Sequence, residues 1–126
     1  ADRREVLRWT LWDNHKLTGT MATYRFLRTF SASPDERVLA FLRKRIDDYL
    51  GILERRVASS TFVVGAKPTI ADLSMCAYLQ YPSDEHGYEF TKSHPAVGAW
   101  LGRIAALPGH KLACDLLPGK RLHHYA

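Results

Sequence analysis

The sequence is poor in cysteine. Cys76 and Cys114 are the two cysteines among its 126 residues, and their spacing does not form a CxxC pair. Structural zinc sites and disulfide frameworks need paired cysteines, so we expect two buried free thiols in a reducing compartment and no metal. The sequence also lacks an apolar run near the roughly 18 residues that span a membrane. No N-terminal secretory signal is recognisable, so we expect a cytoplasmic protein without a membrane partner.

The residues that are present match the composition of an ordinary globular domain. Hydrophobic residues make up 46% of the chain and charged residues 25%, which predicts one domain over residues 1–126. A chain of this length buries about two-thirds of its unfolded surface, enough for a core without a metal. The formal net charge of +5 is compatible with an anionic partner, which the charge alone does not identify as nucleic acid, an acidic small molecule or a membrane surface.

Hydrophobic periodicity predicts an all-α fold of about five helices. No proline interrupts residues 5–30, where apolar or small residues recur on one helical face and Gly19 suggests a bend or a close backbone approach. The second helix is expected to run over residues 34–59, with Ser33 as N-cap and Pro34 in the first turn. Further helices are expected at residues 70–79, from Pro95 to about residue 107, and at residues 110–117.

The connections between these helices also carry signals. Residues 62–65 are expected to form a loop that tucks Phe62 and Val63 onto the core, and residues 82–87 an exposed turn. Thr69 and Asp72 have the spacing of a capping box, in which the side chain of each residue accepts a hydrogen bond from the backbone N–H of the other. The helix that follows is apolar or small nearly all round, which predicts protein on every side of it.

Three segments of the sequence carry a resemblance to a known family. Residues 62–73 (FVVGAKPTIADL), residues 94–101 (HPAVGAWL) and the later Leu-Pro-Gly at residues 107–109 resemble the C-terminal helical domain of cytosolic, bacterial-type glutathione transferases. The resemblance covers essentially the whole chain. It implies that an N-terminal thioredoxin-like domain, which in the family holds the catalytic Ser, Tyr or Cys and most of the glutathione site, is absent from this chain.

The same resemblance implies what the chain contributes. In such a protein the helical domain supplies a substrate pocket and part of a homodimer interface, and no catalytic residue. The parent enzyme would conjugate glutathione to a hydrophobic electrophile or reduce peroxides or disulfides. By itself the chain is expected to be inactive, with glutathione as a co-substrate bound mainly by the other domain.

The densest group of chemically versatile side chains lies in the first helix, around His15 and Lys16. On a regular helix His15 continues the face of Leu11, while Trp12 and Lys16 lie about 100° away. His15 is therefore either a histidine at the edge of the core, bonded to a backbone carbonyl, or a group facing a cleft. His15 and Lys16 resemble the His-Lys pair of beta-class glutathione transferases, which implies that His15 orients or polarises glutathione and Lys16 attracts one of its carboxylates.

The remaining candidates belong to a pocket or to the scaffold. Leu11, Trp12 and Tyr81 are expected to line an apolar electrophile pocket. Asp72 and Thr69 are expected to act as a structural cap and not in catalysis. The terminal His123 and His124 are interpreted as a solvated tail and not as a metal site.

One alternative function has a different character. Helical domains of this type also occur as non-enzymatic interaction modules in translation elongation factors and tRNA-synthetase assemblies. A positive net charge would suit such an RNA-associated assembly. The sequence lacks a dense Lys/Arg face with interleaved aromatic residues, which single-stranded nucleic acid requires. We therefore place the enzyme interpretation first and expect no nucleic-acid partner.

Overall fold

A computed structural model describes residues 2–120, in which every regular element is a helix. The five predicted helices are present, and two one-turn helices join them. The all-α prediction is confirmed, and the one extended pairing within residues 2–120 is an isolated bridge between Phe62 and Gly65. The elements are α1 (Arg3–Trp12), a π-helical turn (Asp13–Leu17), α2 (Thr18–Phe30), α3 (Glu36–Ala58), α4 (Ile70–Leu79), α5 (Ser83–His86), α6 (Phe90–Ser93), α7 (Pro95–Ala105) and α8 (Ala113–Leu116).

The first predicted helix is a rod made of α1, the π-turn and α2. Four of its buried residues, Trp9, Asp13, Leu17 and Met21, are spaced four apart. In a regular helix, with 3.6 residues per turn, such a series drifts steadily around the axis. The wider π-turn offsets this drift and keeps all four side chains on the face toward α3 and α4. The irregularity therefore lies just before Gly19, where the sequence suggested a bend.

The apolar face read from the sequence of this rod is the outer one. Leu7, Leu11 and Phe26 are 57%, 61% and 58% exposed. The sequence pattern follows regular helical geometry, whereas the π-turn and the contacts with α4 determine which side of the rod is buried. Apolar spacing along residues 5–30 therefore does not identify the core face.

Helix α3 packs against α2 and buries an apolar stripe. Ile46, Leu50 and Leu53 are completely buried, and Val57 nearly so. The predicted N-cap Ser33 is wrong: the side chain of Asp35 accepts from the amide of Arg37 at 2.8 Å, and the helix begins at Glu36. The acidic side chain takes the capping position because it reaches the free amides of the first turn.

The core closes where α3, α4 and α7 meet the loop at residues 62–65. Val97, Trp100 and Ile104 of α7 are completely buried, and α7 begins at Pro95 as predicted. The carboxylate of Glu54, on α3, accepts hydrogen bonds from the amides of Ala96 and Val97 at 2.9 and 2.8 Å. It thereby caps α7 from a neighbouring helix, because the first amides of a helix have no partner within it.

Predictions for the loops are partly confirmed. Phe62 and Val63 are buried, and Gly65 turns the chain at φ 82°, a region that favours glycine. The exposed turn expected at residues 82–87 is wrong, since these residues contain α5, in which Glu85 and His86 are buried. The last predicted helix is shorter than residues 110–117, because α8 is one exposed turn. His123 and His124 lie outside the described residues.

The expectation that α4 is enclosed by protein on every side is wrong for this chain. Ala71, Met75 and Leu79 are buried, but Ile70 and Leu73 on the opposite side are 66% and 53% exposed. The apolar composition of α4 is therefore only half explained by contacts within the chain.

Candidate functional site

Asp72 is a structural centre at the start of α4. The side chain of Thr69 accepts from the amide of Ala71 at 3.3 Å, and the carboxylate of Asp72 accepts from the amide of Thr69 at 2.9 Å. The side chain of Thr69 also accepts from the backbone of Asp72, which completes the predicted capping box. Asp72 is completely buried, so its carboxylate has no contact surface for a substrate.

The carboxylate of Asp72 also holds two more distant elements. It accepts from the amide of Val63 at 2.8 Å and from the indole N–H of Trp100 at 2.9 Å. One side chain thus joins the loop at residues 62–65, α4 and α7. Trp100 follows Asp72 by 28 residues, so no local spacing in the sequence predicts this bond.

The π-turn contains a second buried carboxyl group, that of Asp13. It accepts from the hydroxyl of Thr18 at 2.6 Å and from the hydroxyl of Ser74, on α4, at 2.7 Å. Burial raises the pKa of Asp13, and the hydrogen bonds from Thr18 and Ser74 oppose this without cancelling it. The side chain amide of Asn14 also donates to the Ser74 hydroxyl, at 3.2 Å. The first two residues of the π-turn are therefore both attached to α4.

The predicted site residues of α1 and the π-turn separate onto two surfaces. Leu11 and His15 are exposed on the outer side of the rod, and Lys16 is half-buried. Trp12 instead contacts the core, with its ring 5.2 Å from Trp9 and 6.2 Å from Tyr49 in edge-to-face arrangements. Trp12 therefore lies on the α3 side of the rod, away from the surface that carries Leu11.

Tyr81, just after α4, lies in a cleft at the other end of the bundle. The guanidinium of Arg25 lies over its ring at 3.6 Å, and the Arg25 Nε is 2.6 Å from a carboxylate oxygen of buried Glu85. A cavity of about 460 Å³ opens beside it, lined in part by Arg25, Phe30, Tyr81 and Leu117. Sequence reasoning missed Arg25 and Phe30, because their approach to Tyr81 depends on how α2 packs against the residues after α4.

His86 fixes the backbone next to this cleft. Its Nε2–H donates to the carbonyl of Tyr81 at 2.8 Å, and its Nδ1 accepts from the amide of Tyr88 at 3.2 Å. A carbonyl only accepts and an amide only donates, so these partners define the neutral tautomer with its proton on Nε2. Burial lowers the pKa of His86 and favours this neutral form.

The helices α1 and α4 share an open apolar face. It is defined by Leu7 and Leu11 on α1 and by Ile70 and Leu73 on α4, all of them more than half exposed. A groove of about 360 Å³ lies where the two helices meet, lined by Arg3, Val6, Leu7, Thr10 and Ile70. Exposed apolar side chains grouped in this way are typical of interaction surfaces and ligand-binding grooves.

The two thiols differ in environment. Cys76 is buried, and burial raises the pKa of its thiol to about 11, which makes it unreactive. Cys114 is exposed, so the prediction of two buried thiols is wrong for it. Within residues 2–120 no three His, Cys, Asp or Glu side chains come together as a metal site would require. Nor does that part of the chain contain a helix long and apolar enough to cross a membrane.

Comparison with known proteins identifies the class. Residues 21–111 match the family described as "Glutathione S-transferase, C-terminal domain". This chain therefore belongs to the glutathione S-transferase family through its C-terminal, all-helical domain, which confirms the resemblance found in the sequence.

Individual relatives agree with this assignment. A glutathione S-transferase of Xanthobacter autotrophicus Py2 has a TM-score of 0.80 and 33% identity, over 90% of this chain and 56% of its own. A glutathione S-transferase domain-containing protein of Dictyostelium discoideum is 29% identical over 82% of this chain and 40% of its own. A glutathione transferase of Burkholderia graminis, solved with two glutathione molecules per subunit, shares the fold at 20% identity and TM-score 0.72, over 84% of this chain and 46% of its own. The chain spans about half the length of these relatives.

Proposed function

We propose that this chain is the helical half of a glutathione transferase whose other half is a thioredoxin-like domain that binds glutathione. The observation that carries the proposal is the open apolar face of α1 and α4, since Leu7, Leu11, Ile70 and Leu73 are all exposed in the chain alone. A chain that spans about half of its relatives and presents such a face fits a domain that docks against a second one.

In this proposal the exposed side of the rod faces bound glutathione. His15 orients or polarises the tripeptide, and Lys16 provides a cation for one of its carboxylates, because an ammonium attracts such a group most strongly where water is partly excluded. The thiolate forms in the other half, since a low thiol pKa needs hydrogen bonds to the sulfur itself. The chain therefore contributes binding and no catalytic nucleophile.

The electrophile pocket of the proposal combines predicted and new residues. Tyr81 offers apolar surface in its cleft, where Arg25 and Phe30 extend the wall, and Leu11 offers apolar surface on the separate open face of α1 and α4. Trp12 supports the rod that carries Leu11 from the core side, given its contacts with Trp9 and Tyr49. The reaction is conjugation of glutathione to a hydrophobic electrophile, or reduction of a peroxide or disulfide. We place the parent enzyme in the cytoplasm as a homodimer of the bacterial type.

The test compares the 126-residue chain with the longer protein that contains it. With glutathione and a chlorinated aromatic electrophile, we expect turnover by the longer protein and none by the chain alone. In the longer protein, His15→Ala is expected to lower turnover by about tenfold or more if His15 assists directly. Lys16→Ala is expected to raise the KM for glutathione. Lys44→Ala, on the exposed side of α3, is the matched control and should change neither value.

Two results would contradict the proposal. Turnover by the 126-residue chain alone would show that it needs no second half. If the longer protein binds no glutathione, the alternative of a non-enzymatic interaction module is favoured. A gel-shift experiment with tRNA at low and moderate salt then tests that alternative, which predicts salt-dependent binding.

A further inference from the structure

We propose that Asp13 is a positioning residue, which holds the π-turn in the shape that presents the exposed His15 and the half-buried Lys16 next to it. This inference rests on the proposed function, in which those two side chains face glutathione. Asp13 itself is completely buried, so it acts through the backbone of the turn and touches no substrate.

The hydrogen bonds of Asp13 account for this role. One carboxyl oxygen accepts from Thr18, at the far end of the π-turn, and the other accepts from Ser74 on α4. The carboxyl group thus connects the first residue of the turn with the residue that follows it and with a neighbouring helix. Asn14 reaches the same Ser74 hydroxyl. These bonds fix Asp13 and Asn14 before His15 and Lys16, and Thr18 after them, while the side chain of His15 remains exposed.

The hydrogen bonds of Asp13 and Asn14 maintain the shape of the π-turn. A π-turn is less stable than an α-helical turn and persists where side-chain contacts favour it. If the contacts of Asp13 were lost, the segment would relax toward regular helix, which rotates the following side chains around the axis. His15 and Lys16 would then leave their places, and a displacement of about 1 Å is enough to reduce catalysis by up to about 100-fold.

The chemistry of the partners makes the role testable by substitution. Both side-chain donors to Asp13 are hydroxyl groups, which can donate or accept. Asp13→Asn therefore keeps a connection to Thr18 and Ser74, whereas Asp13→Ala removes it. A positioning role requires that the asparagine variant retains function and the alanine variant does not. Asp48→Ala, at an exposed position of α3 paired with Lys44, is the matched control.

The kinetic test uses the longer protein, at temperatures well below the melting temperature of each variant. We expect Asp13→Ala to lower kcat/KM for glutathione by about tenfold, and Asp13→Asn and Asp48→Ala to stay within about twofold of wild type. In a variant that already lacks both side chains (His15→Ala with Lys16→Ala), Asp13→Ala should add no further loss. An equal loss in both backgrounds would overturn the proposal.

A structural measurement separates this inference from the proposed function. In NMR spectra of the 126-residue chain, Asp13→Ala should shift the imidazole resonances of His15 and the amides of residues 14–18, and Asp13→Asn should restore them. Unchanged resonances in Asp13→Ala would overturn the positioning role whatever the kinetics show. If the resonances move but His15→Ala and Lys16→Ala leave the kinetics of the longer protein unchanged, the proposed glutathione contact fails and the positioning role stands.

Discussion

Asp72 at the start of α4 and Asp13 in the π-turn are both completely buried, yet their hydrogen-bond donors differ. Asp72 accepts from the amides of Val63 and Thr69 and from the indole of Trp100. Those N–H groups can only donate, whereas the two hydroxyl groups around Asp13 can donate or accept. The donors of Asp72 therefore require an acceptor at all times, while those of Asp13 adapt to its protonation. One carboxyl group is an obligatory part of the scaffold, and the other is an adjustable connection.

The largest expected effect is the difference in the free energy of unfolding between the variants Asp72→Asn and Asp13→Asn. Either carboxylate oxygen of Asp72 accepts from at least one N–H group, so Asp72→Asn places an amide N–H against a group that only donates, and should lower the free energy of unfolding by about 2–4 kcal/mol. Asp13→Asn should cost about 1 kcal/mol or less, because the hydroxyls of Thr18 and Ser74 reorient. Urea unfolding of the 126-residue chain measures both values.

A control and a contrary result sharpen this prediction. Asp35→Asn, at the exposed N-cap of α3, removes a carboxylate that accepts from one amide in solvent, and should have less effect than Asp72→Asn. Equal losses for Asp72→Asn and Asp13→Asn would remove the distinction between an obligatory and an adjustable carboxyl group.

The smaller expected effect concerns pH. Because burial raises the pKa of Asp13 in the folded chain, its stabilising contribution is present below its ordinary pKa and is lost as the pH rises through the folded value. Wild type should therefore gain stability relative to Asp13→Asn as the pH falls from about 7 to about 4. The comparison with Asp13→Asn cancels the opposite trend from His86, whose lowered pKa reduces stability in acid. A difference that does not vary with pH would contradict a raised pKa of the buried Asp13 carboxyl group.

Local signals explain which parts of the fold were predictable. The capping box of Thr69 and Asp72 and the helix that begins at Pro95 depend on residues within one turn of each other. The sequence pattern therefore locates both helix starts correctly. The Thr-Ile-Ala-Asp segment at residues 69–72 also carries much of the family resemblance.

The features that sequence reasoning missed depend on distant contacts. The π-turn depends on a hydrogen bond between Asp13 and Ser74. The position of Trp100 depends on a hydrogen bond to Asp72. Each of these bonds joins two different helical segments. The buried side of the first rod follows from these contacts and not from the spacing of Leu7 and Leu11. The cleft at Tyr81 likewise needs Arg25, which approaches it only after α2 has packed.

The open face of α1 and α4 is the surface on which the proposed function depends, and its accessibility can be measured by thiol labelling. Leu73→Cys introduces a thiol on this face, and Ala105→Cys introduces one at an exposed control position at the end of α7. Cys114→Ser removes the exposed natural thiol, and buried Cys76, with its thiol pKa of about 11, does not compete.

The most direct test compares alkylation rates of these variants in the 126-residue chain and in the longer protein that contains it. If a thioredoxin-like half covers α1 and α4, the thiol of Leu73→Cys reacts rapidly in the chain and about tenfold or more slowly in the longer protein. The thiol of Ala105→Cys reacts equally in both. Equal rates for Leu73→Cys in the two proteins would contradict the assignment of this chain as a docked half of a glutathione transferase.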